Sequence, residues 1–112
     1  MVLFGGGKQT RDFVYIGDAV SALTSAATAD RVNRSIINVG SGQEVSIAQL
    51  VDKIERAIGR QVHRLDNVEE DGGVPRLVAD VRLAGDLLKW KPRVSLDEGL
   101  QRMLAEDERF KR

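Results

Sequence analysis

The chain has 112 residues, one domain's worth, enough to bury roughly two-thirds of its unfolded surface. Its 17 basic and 17 acidic residues cancel, so there is no field of one sign to draw in nucleic acid or an anionic membrane. It has no cysteine for a disulfide, thiolate nucleophile or sulfur-ligated metal, no apolar run of spanning length and no leader pattern, so the expectation is a single cytoplasmic domain over residues 1–112.

From the N-terminus, Val2-Leu3-Phe4 is a short apolar tract, and Gly5 to Gly7 make a turn in which positive backbone angles cost little. Arg11 to Ile16 alternates polar and β-favouring residues and predicts a strand. Asp18 is placed to cap a helix that carries Val20, Leu23, Ala26 and Ala27 at helical spacing to about Ala29. Ser35 to Val39 predicts a second strand, and adjacent Ile36 and Ile37 predict burial on both its faces. Gly40-Ser41-Gly42 ends it.

The clearest helix follows. Ser46 and Gln49 have capping-box spacing, Ile47, Leu50, Val51, Ile54, Ala57 and Ile58 form one apolar stripe, and Gly59 supplies a left-handed stop. Gln61 to Leu65 predicts a third strand, and Asp66 to Gly73 is an acidic, glycine-ended loop. Asp80 is placed to cap a short helix with Val81, Ala84, Leu87 and Leu88 inward, ending before Lys91-Pro92. Trp90 is expected to close the core with its indole N–H near solvent. Ser95 with Glu98 repeats the capping-box spacing and opens a last helix, with Leu96, Leu100, Met103 and Leu104 inward and a charged tail, 106–112, that frays. The fold class is α/β, with an α+β character: four helices and three short strands, whose order periodicity does not reveal.

Few side chains offer chemistry. A lone His63 with no cysteine makes no zinc site, and the serines lack a histidine in any nucleophile motif. Asp66, Glu69, Glu70 and Asp71 lack the fixed spacing of a calcium loop and read as a solvated acidic loop, so no metal ligands are assigned. The glycines at 5–7 lack the βαβ context and later glycine of a dinucleotide fingerprint.

Three motifs nevertheless occur in a telling order: Gly5-Gly6-Gly7-Lys8-Gln9-Thr10-Arg11-Asp12-Phe13-Val14-Tyr15-Ile16-Gly17-Asp18, then Ile37-Asn38-Val39-Gly40-Ser41-Gly42, then Trp90-Lys91-Pro92. From about Val2 to Met103 the chain resembles the C-terminal third of the nucleotide-sugar epimerases and dehydratases, within the extended short-chain dehydrogenase/reductases. The resemblance implies the fold of their small substrate-binding domain plus the last strand and helix of the large sheet. In that family NAD and the catalytic tyrosine and lysine belong to an N-terminal Rossmann part outside these motifs. No catalytic or cofactor-binding residue is therefore assigned here. Tyr15, with Ala19 rather than a lysine one turn later, is read as packing.

The resemblance also implies a substrate site. Arg11 would reach the diphosphate of a nucleotide sugar, against the plainer reading that it pairs with Asp12 or Asp18. Gln9 would meet a ribose hydroxyl, against the equal reading of an exposed turn residue, and Phe4 would stack on the base, against the plainer reading of a core residue. The chain departs from the family pattern before Asp80, where Glu70 stands in place of an arginine and Gly73 in place of an aspartate. The acidic loop then weakens nucleotide binding unless Arg64 or Arg76 compensates. The expected protein is a non-catalytic module that binds a nucleotide or nucleotide sugar weakly and self-associates through its orphaned strand. The alternatives are a subunit completed by a separate Rossmann chain, or a fragment with no selected role.

Overall fold

The computed structural model describes residues 1–111. In chain order it has β1 (Val2–Phe4), a 3-10 turn (Gly5–Gly7), β2 (Thr10–Arg11), α1 (Ile16–Thr28), β3 (Val45–Ser46), α2 (Ile47–Ile58), β4 (Leu65–Asn67), α3 (Arg82–Leu88), α4 (Leu96–Glu106) and a second 3-10 turn (Glu108–Phe110). Strands β1 and β4 pair in parallel, with Leu3 opposite Asp66, and β2 pairs antiparallel with β3, with Arg11 opposite Val45. The mixed α/β class with four helices stands, while the strands lie elsewhere than the alternation predicted.

The two best-signalled helix starts form as expected. The Ser46 hydroxyl accepts from the Gln49 N–H while the Gln49 side chain accepts from the Ser46 N–H, satisfying two donors at the start of α2. Gly59 closes that helix at φ 69°. Ser95 accepts from the Glu98 N–H, but Glu98 turns away to Arg102 instead of completing the box. The tail takes up the 3-10 turn at 108–110, with Asp107 accepting from the Arg109 N–H; residue 112 lies outside the described residues.

Three expected strands differ. The strand expected over 11–16 is confined to Thr10–Arg11, because α1 already begins at Ile16 with Tyr15 as its uncapped N-cap. The third strand moves from 61–65 to Leu65–Asn67, where β1 offers its partners. Residues 35–39 join neither sheet. Their Ile37 packs on the core while Ile36 is 89 % exposed, so only one face of the segment is covered.

Asp18 is not a cap. Its buried carboxylate accepts from the backbone N–H groups of Arg93 (3.0 Å) and Val94 (2.9 Å), tying α1 to the turn before α4. Trp90 lies next to this tie and is itself buried. Its indole N–H, expected near solvent, donates to the Asp18 carbonyl (3.1 Å) and the Ser21 hydroxyl (2.8 Å). Asp80 precedes the N-cap of α3, Val81, by one residue, yet it accepts from the Arg82 N–H.

The core sets two alanines against two large side chains. Ala22, Ala84, Leu88 and Trp90 are buried together, where α1 crosses α3. Helix α2 packs on α4, bridged at its flank by Lys53 and Asp97 at 2.6 Å. The resulting body is a slab, 49 × 36 × 17 Å, with a radius of gyration of 16.6 Å where a compact chain of this length has about 13 Å. Its accessible surface, 8310 Å², exceeds by about 2,200 Å² that of a folded monomer of the same mass.

Replacing Trp90 by Phe keeps most of the packing but strips two hydrogen bonds from a buried site. It should lower unfolding free energy by about 1–2 kcal/mol in urea titration, with little change in m-value.

Candidate functional site

The segment Gln9 to Asp12 is where distant parts of the chain meet. The Gln9 carbonyl accepts from the Ile47 N–H at the start of α2 (3.0 Å). Thr10 donates its N–H to Pro75 (2.9 Å) and accepts from the Leu77 N–H (3.2 Å), so residues 75–77 run alongside β2. The Thr10 hydroxyl donates to Glu44 (2.7 Å), which also receives both arms of Arg76, at 2.7 and 2.6 Å.

Asp12 completes the junction. Its carboxylate accepts from the Ser41 N–H and hydroxyl (both 2.6 Å), the Gly42 N–H (2.9 Å) and the Ala79 N–H (3.1 Å). Burial pushes the carboxyl up, but these hydrogen bonds outweigh it and hold the group below its ordinary 3.8. Gly40 is required beside it, since a Cβ there would stand 2.6 Å from the Ala79 Cβ and 2.7 Å from Asp12 Oδ2.

Arg11 pairs with neither Asp12 nor Asp18. Its Nη1 donates to the carbonyls of Thr10 and Val74, both at 2.6 Å, and its Nη2 makes a longer bond, 3.4 Å, to the Gly72 carbonyl. These three bonds orient the guanidinium plane and occupy three of its five N–H donors. The Nε–H and one of the two Nη2–H groups have no partner among the described residues, which leaves charged donors for phosphate oxygens. Gly73 lies alongside: a Cβ at that position would be 3.9 Å from Arg11 Nη2. A carboxylate there, as the family pattern has, would stand within reach of the guanidinium.

Of the other two expected site residues, Gln9 reaches the same loop, while Phe4 pairs with Asn67 at the end of β1. The Gln9 amide lies so close over Gly72 that a Cβ on that glycine would be 2.5 Å from Gln9 Cδ. Phe4 is 42 % exposed at the end of β1, and a Cβ built on Gly5, which follows it, would lie 3.5 Å from the Gly72 nitrogen and 3.9 Å from Gln9 Oε1. The two arginines that were to compensate the acidic loop are already neutralised: Arg64 bridges Asp52 and Glu55, and Arg76 is held by Glu44. Asp66, Glu69, Glu70 and Asp71 have no ion-pair partner among the described residues. The long-range roles of the carboxylates Asp12, Asp18 and Glu44 escaped sequence reasoning, because each closes a contact 29 to 76 residues away.

Tyr15 packs on Gly99, whose Cβ would be 3.1 Å from the ring, and Arg102 lies 5.6 Å over the ring centre. Gly5–Gly7 is a left-handed 3-10 turn laid against Ala48 and leading into β2, so it opens no helix onto which a pyrophosphate could sit. Exposed His63 joins no group of three or more metal-ligating side chains among the described residues. No helix there is long and apolar enough to cross a membrane.

Two large grooves lie away from Arg11. One, about 680 Å³, runs between Phe13, Glu44, Val45 and Gln49 and the segment Pro92 to Asp97, with Arg56 and Arg93 on its walls. The other, about 640 Å³ and mostly apolar, lies between Phe13 to Ile16, Leu50 and Ile54 of α2, and Leu96, Leu100 and Met103 of α4.

Because the native state depresses the Asp12 pKa, its contribution to stability is fully present above the unfolded value of 3.8 and is lost as pH falls through the lower folded value. Asp12→Asn should cost about 2 kcal/mol at pH 7 and flatten the stability profile below pH 4, read by urea titration across pH.

The GDP-mannose 4,6-dehydratase family profile matches residues 1–103. The UDP-glucuronate 4-epimerase of Thermodesulfobacterium geofontis is 38 % identical over 101 residues, covering 89 % of this chain and 31 % of that protein. Among solved structures, the UDP-glucose 4-epimerase of Thermotoga maritima with UDP-glucose superposes over the whole chain and 36 % of its own, with a TM-score of 0.88 at 27 % identity. The UDP-glucuronic acid 4-epimerase of Bacillus cereus, in complex with UDP-glucuronic acid and NAD, gives a TM-score of 0.80 at 31 % identity, over 89 % of this chain and 32 % of that one. The chain thus spans about a third of the length of the relatives it matches, their C-terminal portion. It belongs to the GDP-mannose 4,6-dehydratase family of nucleotide-sugar epimerases and dehydratases.

Proposed function

We propose that these 112 residues form the nucleotide-sugar-binding part of an epimerase or dehydratase of this family, non-catalytic by themselves, with Arg11 as the diphosphate ligand. The observation that carries the reading is the unpartnered donors on Arg11. Three backbone bonds hold the guanidinium still, and the glycine at 73 puts no carboxylate against it. Gln9 and Phe4 are the residues proposed to meet a ribose hydroxyl and the base; the Gln9 amide lies over Gly72 and Phe4 is part exposed, which supports the reading. The relatives seen with UDP-glucose and UDP-glucuronic acid support a UDP-sugar as the ligand class. Hydride chemistry needs NAD, and the turn at Gly5–Gly7 does not fit it, so the cofactor and the reacting groups would come from other polypeptide.

The α1 surface supports that division. Ala19, Ala22, Ala26 and Ala29 face inward or lie half-buried, whereas Ile16, Val20, Leu23 and Ala27, one helical stripe over, are exposed. The surface excess of about 2,200 Å² is far above the roughly 800 Å² that one partner gives to a standard interface. The occupant in this reading is a second copy of the chain. A second reading, a separate chain that carries the dinucleotide-binding part, is favoured by residues 35–39, which run beside the core with Ile36 turned out and no strand against them.

Calorimetric titration with UDP and dTDP and their sugars tests the site. UDP should bind weakly, and Arg11→Lys should weaken it at least about tenfold, since an ammonium does not reproduce the guanidinium fork; equal heat from wild type and variant would refute the assignment. Light scattering tests the surface: a mass above monomer is expected, falling toward monomer for Leu23→Glu, whereas a monomer at all concentrations points to the separate chain.

A further inference from the structure

Arg11 is oriented by carbonyls that have little reason to stay where they are. They belong to Gly72 and Val74, on either side of Gly73, and two consecutive glycines are the costliest residues to hold in one conformation. Downstream, residues 75–77 are tied to β2 by only two backbone bonds, through Thr10. Asp12 holds the chain just beyond at the Ala79 N–H, and a side-chain clasp adds a further hold on the segment itself. Glu44, brought in from the turn before β3, takes the Thr10 hydroxyl on Oε1 and grips the Arg76 guanidinium with both oxygens.

We propose that Glu44 is a positioning residue for the Arg11 site: by gripping Thr10 and Arg76 together it fixes residues 72–77 against β2 and so fixes the carbonyls that aim the Arg11 fork. This rests on the nucleotide-binding reading above. Arg76, 74 % exposed at its side chain, is thereby an anchor for the loop and not a second phosphate ligand. The clasp stays charged across the physiological range, because Arg76 and then Thr10 hold the Glu44 carboxyl at about 2. An ion pair this exposed adds little to global stability, so its loss should be felt locally.

The test is amide hydrogen exchange by NMR, with UDP titration and urea unfolding, on wild type, Glu44→Ala, Glu44→Gln, Arg76→Ala and the Glu44/Arg76 double alanine variant. In Glu44→Ala the Leu77 amide should exchange about two- to fivefold faster while the Val51 amide of α2 and the urea midpoint hold, and UDP affinity should fall by a similar factor. Arg76→Ala should do the same, the double variant no more, and Glu44→Gln, which keeps an acceptor for Thr10, should lie between. Wild-type exchange at Leu77 in Glu44→Ala, or a loss of UDP affinity that Arg76→Ala does not share, overturns the proposal. No heat with UDP from the wild-type protein overturns the nucleotide reading itself, and the role of Glu44 within it, whatever the exchange rates.

Discussion

One carboxylate holds the two ends of this architecture together. Asp12 takes four hydrogen bonds from the segments around Ser41 and Ala79, neither of which has a strand or helix of its own to hold it. Three of those donors are backbone N–H groups that would otherwise lie unpaired in a part-buried junction, each at a cost of about 1–3 kcal/mol. With strands of two or three residues, the ladders alone offer few bonds to oppose the entropy of ordering the loops. The charged acceptor replaces the missing ladder. It also explains why Gly40 is bare, and why Arg11, one residue earlier, turns its donors to carbonyls: the neighbouring charge is already taken up by N–H groups.

The helices divide the same labour differently. Helix α1 is apolar over a wide arc, yet only its alanine side meets α3, where small residues let the backbones close around Ala84 and Trp90. The longer aliphatics, each able to contribute roughly 1.5–3 kcal/mol on burial, point into solvent. A chain selected to stand alone as a monomer would invert that choice. The slab shape and the single-faced segment at 35–39 both leave apolar surface uncovered, which is what the proposed association would bury.

What the sequence disclosed follows the range of the interactions involved. The capping box at Ser46 and Gln49 and the stop at Gly59 are local, and they were readable because all partners lie within a few residues. The strand at 35–39 misled for the opposite reason: β-propensity reports fitness for a pleated, covered surface, and among the described residues no strand pairs with this segment. Asp18 has cap spacing, but burial beside Trp90 and the N–H groups of Arg93 and Val94 prevail over the helix terminus. Arg11 could be named only by family resemblance. Neither its carbonyl partners at 72 and 74 nor the clasp at Glu44 leaves any periodic trace.

The charge changes in the 66–73 loop can be weighed against the fork they accompany. A carboxylate about 10 Å from a bound phosphate costs about 0.4 kcal/mol in water, and less at physiological salt, where screening acts over about 8 Å. Two charge-assisted hydrogen bonds from a preoriented guanidinium contribute about 1.5–3 kcal/mol each. Glu70 in the place of an arginine thus withdraws attraction and adds a modest, salt-sensitive repulsion. Gly73 in the place of an aspartate removes a ribose contact but also frees the Arg11 fork from a competitor within the same loop. In the proposed site the two departures would act in opposite directions on a diphosphate, and because two such hydrogen bonds outweigh the repulsion several-fold, the geometry at Arg11 would govern binding there more than the net charge of the loop.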